Sequence, residues 1–137
     1  MGGRPTSLRV PEDVCEAIEE IMRCTGRDFS SIAKEMLAEA VKMRRIPGIV
    51  FADGPTGRRA RIAGTGIDVY SLIRDYRDMG EDWESLRQAF HWLSEHQLRA
   101  ALAYAEAYPE EIEERLREEK TWNPERVWAT YPFMKPP

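Results

Sequence analysis

The chain has 137 residues, of which 42% are hydrophobic and 32% charged, and a formal net charge of −4. That composition fits a soluble globular protein of one ordinary domain or two small ones. No stretch approaches the length of a transmembrane helix, and Met1-Gly2-Gly3-Arg4 leads into polar sequence without the apolar run of a secretory signal. The net acidity argues against an overall basic nucleic-acid binder, so the distribution of charge decides. Residues 1–46 hold eight basic and eight acidic side chains, residues 47–80 five and four, and residues 81–137 seven and twelve. The acidity is C-terminal, and the first ten residues carry Arg4 and Arg9 with no acid.

Thr6-Ser7-Leu8-Arg9-Val10 alternates, with Thr6, Leu8 and Val10 on one face and Ser7 and Arg9 on the other, and so predicts a short strand. A lone strand leaves its edge unpaired. A second copy of the chain is the simplest partner, giving an antiparallel ribbon that displays Ser7 and Arg9 twice. Such a ribbon fits the major groove of B-DNA. A first helix is predicted from Pro11 to Thr25. Pro11 suits its first position, Glu12 and Asp13 its first turn, and Gly26 its end, with Val14, Ala17, Ile18 and Ile21 as the apolar stripe. A second helix follows from Asp28, its cap, to Arg45. Phe29, Ile32, Ala33, Met36, Leu37, Ala40 and Val41 form a face too wide for so short a segment to bury alone, which again calls for an intertwined dimer. Cys15 and Cys24 lie nine positions apart, on opposite faces of one helix, and are expected to stay reduced and apart.

This segment resembles the ribbon-helix-helix family of bacterial DNA-binding proteins. The matching residues are the strand ending in Val10-Pro11-Glu12-Asp13, the turn Thr25-Gly26-Arg27, and the helix opening Phe29-Ser30-Ser31-Ile32-Ala33-Lys34-Glu35-Met36-Leu37. In that family the strand positions one, three and five before the proline face the core, and those between them read bases. The resemblance therefore implies base contacts from Arg9 and Ser7, with Pro5 at the third reading position, where the family usually has a polar residue. Arg4 adds positive charge beside them. Ser30 and Ser31 open the second helix, where N–H groups and the helix dipole suit either simple capping or a DNA phosphate.

After the break at Ile46-Pro47-Gly48, a hairpin is predicted: Gly48–Ala52, a turn over Asp53–Gly57, then Arg58–Ile62. Helices follow over Asp68–Met79, ended by Gly80, and from Glu81-Asp82-Trp83 to about Phe90. Ser94-Glu95-His96-Gln97 has the form of a capping box and opens a helix to Ala107. Pro109–Lys120 is a last, highly charged helix. From Thr121 the chain becomes aromatic and proline-rich, with Trp122, Trp128, Tyr131, Phe133 and Met134.

Residues 48–114 resemble a small bacterial family, the domain of unknown function 433, which looks like a hairpin followed by a helix-turn-helix unit. The residues that carry the likeness are Arg61-Ile62-Ala63-Gly64-Thr65-Gly66-Ile67-Asp68-Val69, Leu98-Arg99-Ala100-Ala101-Leu102-Ala103-Tyr104-Ala105, and Pro109-Glu110-Glu111-Ile112. Family members usually have arginine where Gly66 stands and proline where Asp68 stands. Such domains are common in antitoxins paired with PIN-like ribonuclease toxins, so the resemblance implies a toxin–antitoxin role.

Arg58, Arg59 and Arg61 fit either a hairpin edge kept soluble by charge or, with Arg99, a second nucleic-acid or partner contact. Glu95 at the start of the presumptive recognition helix would repel phosphates, so packing or dimerisation is the plainer use of that helix. Gly64-Thr65-Gly66 lacks the Lys-Ser/Thr of a phosphate loop. His91 and His96 have no further ligands at metal spacing, and Asp75, Asp78, Glu81 and Asp82 read as a solvated face rather than a nuclease cluster. No catalytic residue, metal or cofactor is expected. Trp122, Trp128, Tyr131 and Phe133 either clip back onto the second domain or anchor a protein partner, and partner binding is favoured.

The expected fold is mainly α with short β elements. It comprises a ribbon-helix-helix dimerisation and DNA-binding domain over residues 1–46, a hairpin plus helix-turn-helix-like domain over 47–120, and a C-terminal tail over 121–137. The expected function is that of a cytoplasmic, nucleoid-associated antitoxin, not an enzyme. It would bind double-stranded DNA as a homodimer or higher oligomer, repress its own operon and neutralise a protein toxin, with no membrane partner. The alternative is a stand-alone transcriptional regulator or nucleoid-organising protein.

Overall fold

A computed structural model of the chain describes residues 2–54, 57–121 and 124–136. It is mainly helical: among the described residues seven α-helices accompany one two-stranded antiparallel hairpin. The chain divides into two compact units, Met1–Lys42 and Met43–Pro137.

The first unit is a helix pair. α1 spans Glu12–Thr25 and α2 spans Phe29–Arg45. Pro11 is the cap residue of α1, so the helix begins one residue later than the sequence suggests, and Glu12 and Asp13 place negative charge against its positive end. α1 stops at Gly26, whose φ of 72° lies in the left-handed region where a glycine avoids the Cβ clash, and its N–H donates to the Met22 carbonyl at 2.8 Å. Two residues on, the Asp28 carboxylate accepts from the Ser31 N–H at 2.7 Å and so caps α2 as expected. Among the described residues of this unit, Ile18 and Ile32 are the only buried apolar side chains.

Residues 6–10 form no strand within one chain, where the expected pairing partner is a second copy, and Leu8 is 64% exposed. The wide face of α2 is also open: Met36, Leu37 and Val41 are exposed, as is Val14 on α1. A single strand has nothing to pair with and a forty-two-residue helix pair has too little interior to cover that much apolar surface.

The second unit is built on the hairpin. β1 spans Ile49–Gly54 and β2 spans Gly57–Ile62, in antiparallel register from Ile49 opposite Ile62 to Gly54 opposite Gly57. Pairing therefore extends past Ala52, where the sequence suggests a turn. Ile49, Ala60 and Ile62 are buried. After a tight turn held by the Thr65 hydroxyl, which donates to the Ile62 carbonyl and accepts from the Ile67 N–H, the chain enters α3 (Val69–Asp78). α4 (Trp83–Ala89), α5 (Glu95–Ala107), α6 (Pro109–Thr121) and α7 (Pro124–Thr130) follow, with a short 3-10 turn at Pro132–Met134.

Local capping fixes where these helices begin. Asp82 accepts from the Ser85 N–H at 2.9 Å at the start of α4. At α5 the predicted box is complete: the Ser94 hydroxyl accepts from the Gln97 N–H, and the Gln97 side chain accepts from the Ser94 N–H at 2.8 Å. α3 packs on α5 and α6, and α5 also packs on both strands. Leu72, Val69, Leu86, Leu98, Ala101 and Tyr104 are wholly or almost wholly buried between them.

Candidate functional site

The N-terminal segment presents Arg4, Pro5, Ser7 and Arg9, four of the six expected DNA-contact residues, as exposed residues. Ser30 and Ser31 are exposed at the start of α2. There the Asp28 carboxylate already occupies the Ser31 N–H. A phosphate at this helix end would have to exchange with that carboxylate.

The three hairpin arginines part company. Arg58 stands opposite Asp53 in the register and pairs with it at 3.4 Å. Its carbonyl also accepts from the Arg115 guanidinium. Arg59 is buried, 9% exposed, with its guanidinium 5.7 Å from the centre of the Tyr70 ring. Arg59 and Arg61 both donate to Asp68, at 3.1 and 2.8 Å. Arg59 thus faces the protein rather than solvent, and the picture of three charges along an open strand edge does not hold for it.

Gly54 makes this possible. A Cβ there would come within 2.4 Å of the Arg59 Nε, so the arginine lies across bare backbone. The sequence does not reveal the role of Asp68. The one available signal was its presence where the resembled family usually has proline, seven and nine residues beyond the two arginines it holds.

At the presumptive recognition helix, Arg99 donates to Glu95 at 2.9 Å and lies over the Trp83 ring, 4.7 Å from its centre. Its charge is therefore already engaged on the surface of α4 and α5. Between these helices lies an open groove of about 360 Å³, lined in part by Glu84, Gln88, His91, Leu93, Glu95 and Leu98. Trp92, which follows His91 in sequence, is 61% exposed and packs edge-on with it.

α3 and α6 are joined by ion pairs. Arg74 binds Glu119 and Asp75, and Arg77 binds Glu113. The hydrogen bond from Arg77, strengthened by the charges of Arg77, Arg117 and Lys120, holds the Glu113 carboxyl below its ordinary range against a smaller opposing effect of burial. At the start of α4 the Ser85 hydroxyl and N–H lower Asp82 in the same way.

In the tail, Tyr131, Phe133 and Met134 are exposed, with Phe133 at 83%, and Trp128 is half-buried. The Tyr131 and Phe133 rings meet edge-on at 6.0 Å. Trp122 lies outside the described residues. No group of three or more His, Cys, Asp or Glu side chains among the described residues is placed to hold a metal ion. Nor is any helix among them long and apolar enough to cross a membrane.

Residues 49–105 match the model of a family described as a protein of unknown function, DUF433. The match takes in the hairpin, α3, α4 and most of α5. No curated protein and no solved structure matches the chain.

Proposed function

We propose that the chain is a homodimeric, sequence-specific DNA-binding protein whose first unit works as a ribbon-helix-helix module, and that it serves as an antitoxin. The observation that carries this reading is the apolar surface of the unit Met1–Lys42. Leu8, Val14, Met36, Leu37 and Val41 are exposed, while Ile18 and Ile32 are the only fully buried apolar side chains among the unit's described residues. Burying a residue of this kind contributes ~1.5–3 kcal/mol. The five are between 39% and 64% exposed, so about half of that remains to be gained at each, and a second copy that covers them adds on the order of 5 kcal/mol.

The alternation at Thr6–Val10 gives the partner its place. Two such segments paired across the dimer axis put Leu8 and Val10 inward and Ser7 and Arg9 toward DNA. Pro5 and Arg4 extend the reading end, and Ser30 and Ser31 sit where a helix end would receive a phosphate in exchange for Asp28. The likeness of residues 49–105 to DUF433 leaves the role of the second unit open. Its engaged arginines and acidic α6 favour packing and partner contact over base reading. The exposed Tyr131 and Phe133, with Trp128 and Trp122 beside them in sequence, support a tail that anchors a protein. On this reading the partner that the tail anchors is a PIN-like ribonuclease toxin.

Two measurements test the proposal. A fluorescence-anisotropy titration on DNA from the chain's own promoter is expected to show Arg9→Ala weakening specific binding by ~1–3 kcal/mol, or roughly 5- to 150-fold, with the dimer intact. Unchanged affinity would remove Arg9 as a reading residue. In the second, the full chain is expected to inhibit a PIN-like ribonuclease encoded beside it, and deletion of Thr121–Pro137 to abolish inhibition while sparing DNA binding. DNA binding by higher oligomers with no effect on the ribonuclease would favour a stand-alone regulator.

A further inference from the structure

We infer that Pro5 sets the base preference of the ribbon: its ring meets the C5-methyl group of a thymine, close to a guanine held by Arg9. This rests on the DNA-binding reading above. The alternation that puts Ser7 and Arg9 on one face of the paired segment puts Pro5 there too, because side chains two residues apart share a face. All three residues are exposed in the single chain.

A proline is compatible with that place. Along an antiparallel strand, successive N–H groups point in turn to the partner strand and to the outer edge. Pro5 and Pro11 fall in step with Ser7 and Arg9. The N–H groups of Thr6, Leu8 and Val10 then serve the partner strand, and both prolines stand where no N–H is called for. The ribbon runs through Pro5 without losing a hydrogen bond between strands.

The chemistry of the face selects the bases. Arg9 offers paired donors, which match the O6 and N7 acceptors of guanine. Ser7 both donates and accepts, and so discriminates little. Pro5 has no side-chain donor or acceptor, and the apolar group that base edges present in the major groove is the thymine methyl. A carbonyl or amino group placed under the ring would lose its water and gain no partner. The strands run antiparallel, so Pro5 of one chain shares an end of the ribbon with Arg9 of the second copy. At ~3.3 Å per residue, positions 5 and 9 lie ~13 Å apart, or about four base-pair steps. The preferred site is therefore short and two-fold symmetric, with a guanine and a thymine close together in each half.

The test uses the full-length protein and the duplex it selects from a random-sequence pool. Each thymine of that duplex is replaced in turn by deoxyuridine, which removes only the methyl group, and each guanine by 7-deazaguanine, which removes only the N7 acceptor. At one thymine in each half, deoxyuridine should weaken binding about fourfold, the effect of leaving one methyl group unburied. That loss should vanish in Pro5→Gly and persist in Arg9→Ala. At the neighbouring guanine, 7-deazaguanine should weaken the wild type by roughly threefold or more and leave Arg9→Ala unaffected. Selected sites without thymine, a deoxyuridine effect that is absent or survives in Pro5→Gly, or a wild type indifferent to 7-deazaguanine overturns the inference and leaves specific DNA binding standing. A pool in which no sequence is enriched overturns the DNA-reading proposal itself, and this inference with it.

Discussion

Asp68 receives the guanidinium groups of Arg59 and Arg61, and its side chain is only 14% exposed. Its backbone also bridges to Arg61, so this one residue ties the end of β2 to the start of α3. Removing a largely buried acid leaves cations in low dielectric without the charge they were placed against, which costs far more than losing a surface pair. Asp68→Ala is expected to lower unfolding free energy by about 3 kcal/mol. Asp68→Asn, which keeps the shape and one acceptor, should lose less. Urea denaturation of both variants checks this. Equal, small losses would mean that Asp68 is a surface residue in effect. The sequence shows the three arginines and the aspartate but not their pairing, because that depends on the turn after β2, which brings Asp68 back to bridge with Arg61. Arg59 was misplaced for the same reason: nothing local marks an arginine as the one that lies over Gly54.

At the scale of elements, the helix boundaries were legible because their causes are local. The Gly26 stop, the Asp28 cap and the Ser94–Gln97 box each depend on residues no more than four apart. The box also ties α5 to the turn after β2, through the Gln97 amide donating to the Ala63 carbonyl at 3.4 Å. Ser94→Ala is expected to cost about 1 kcal/mol, read from the thermal midpoint, with DNA binding unaltered. The docking of α6 on α3 adds a pH dependence. Glu113 is depressed in the folded chain, so the Arg77–Glu113 pair stabilises above the ordinary glutamate range. That contribution is lost as pH falls through the lowered folded value. The wild type should therefore exceed Glu113→Gln in stability at neutral pH, and the gap should close once pH falls below the lowered folded value. A gap that persists in acid would show that Glu113 acts through packing instead. The effect is small because both side chains are substantially exposed.

The whole molecule explains what the sequence left incomplete. The strand at Thr6–Val10 and the broad apolar face of α2 are both legible as patterns, yet neither is satisfied within one chain. The exposed aromatic tail raises the same question at the other end. On the proposed reading the missing group belongs in each case to another molecule, which a pattern in one chain cannot identify. The central claim is that the first unit is completed by a second copy. Light scattering on the full-length protein and on Leu8→Glu, at matched micromolar concentration, tests this most directly. The account predicts a wild type at twice the mass of one chain. It predicts a monomeric Leu8→Glu, because two carboxylates facing each other in a dimer interior have no cation to meet. A monomeric wild type, or a Leu8→Glu variant that remains a stable dimer, would contradict it.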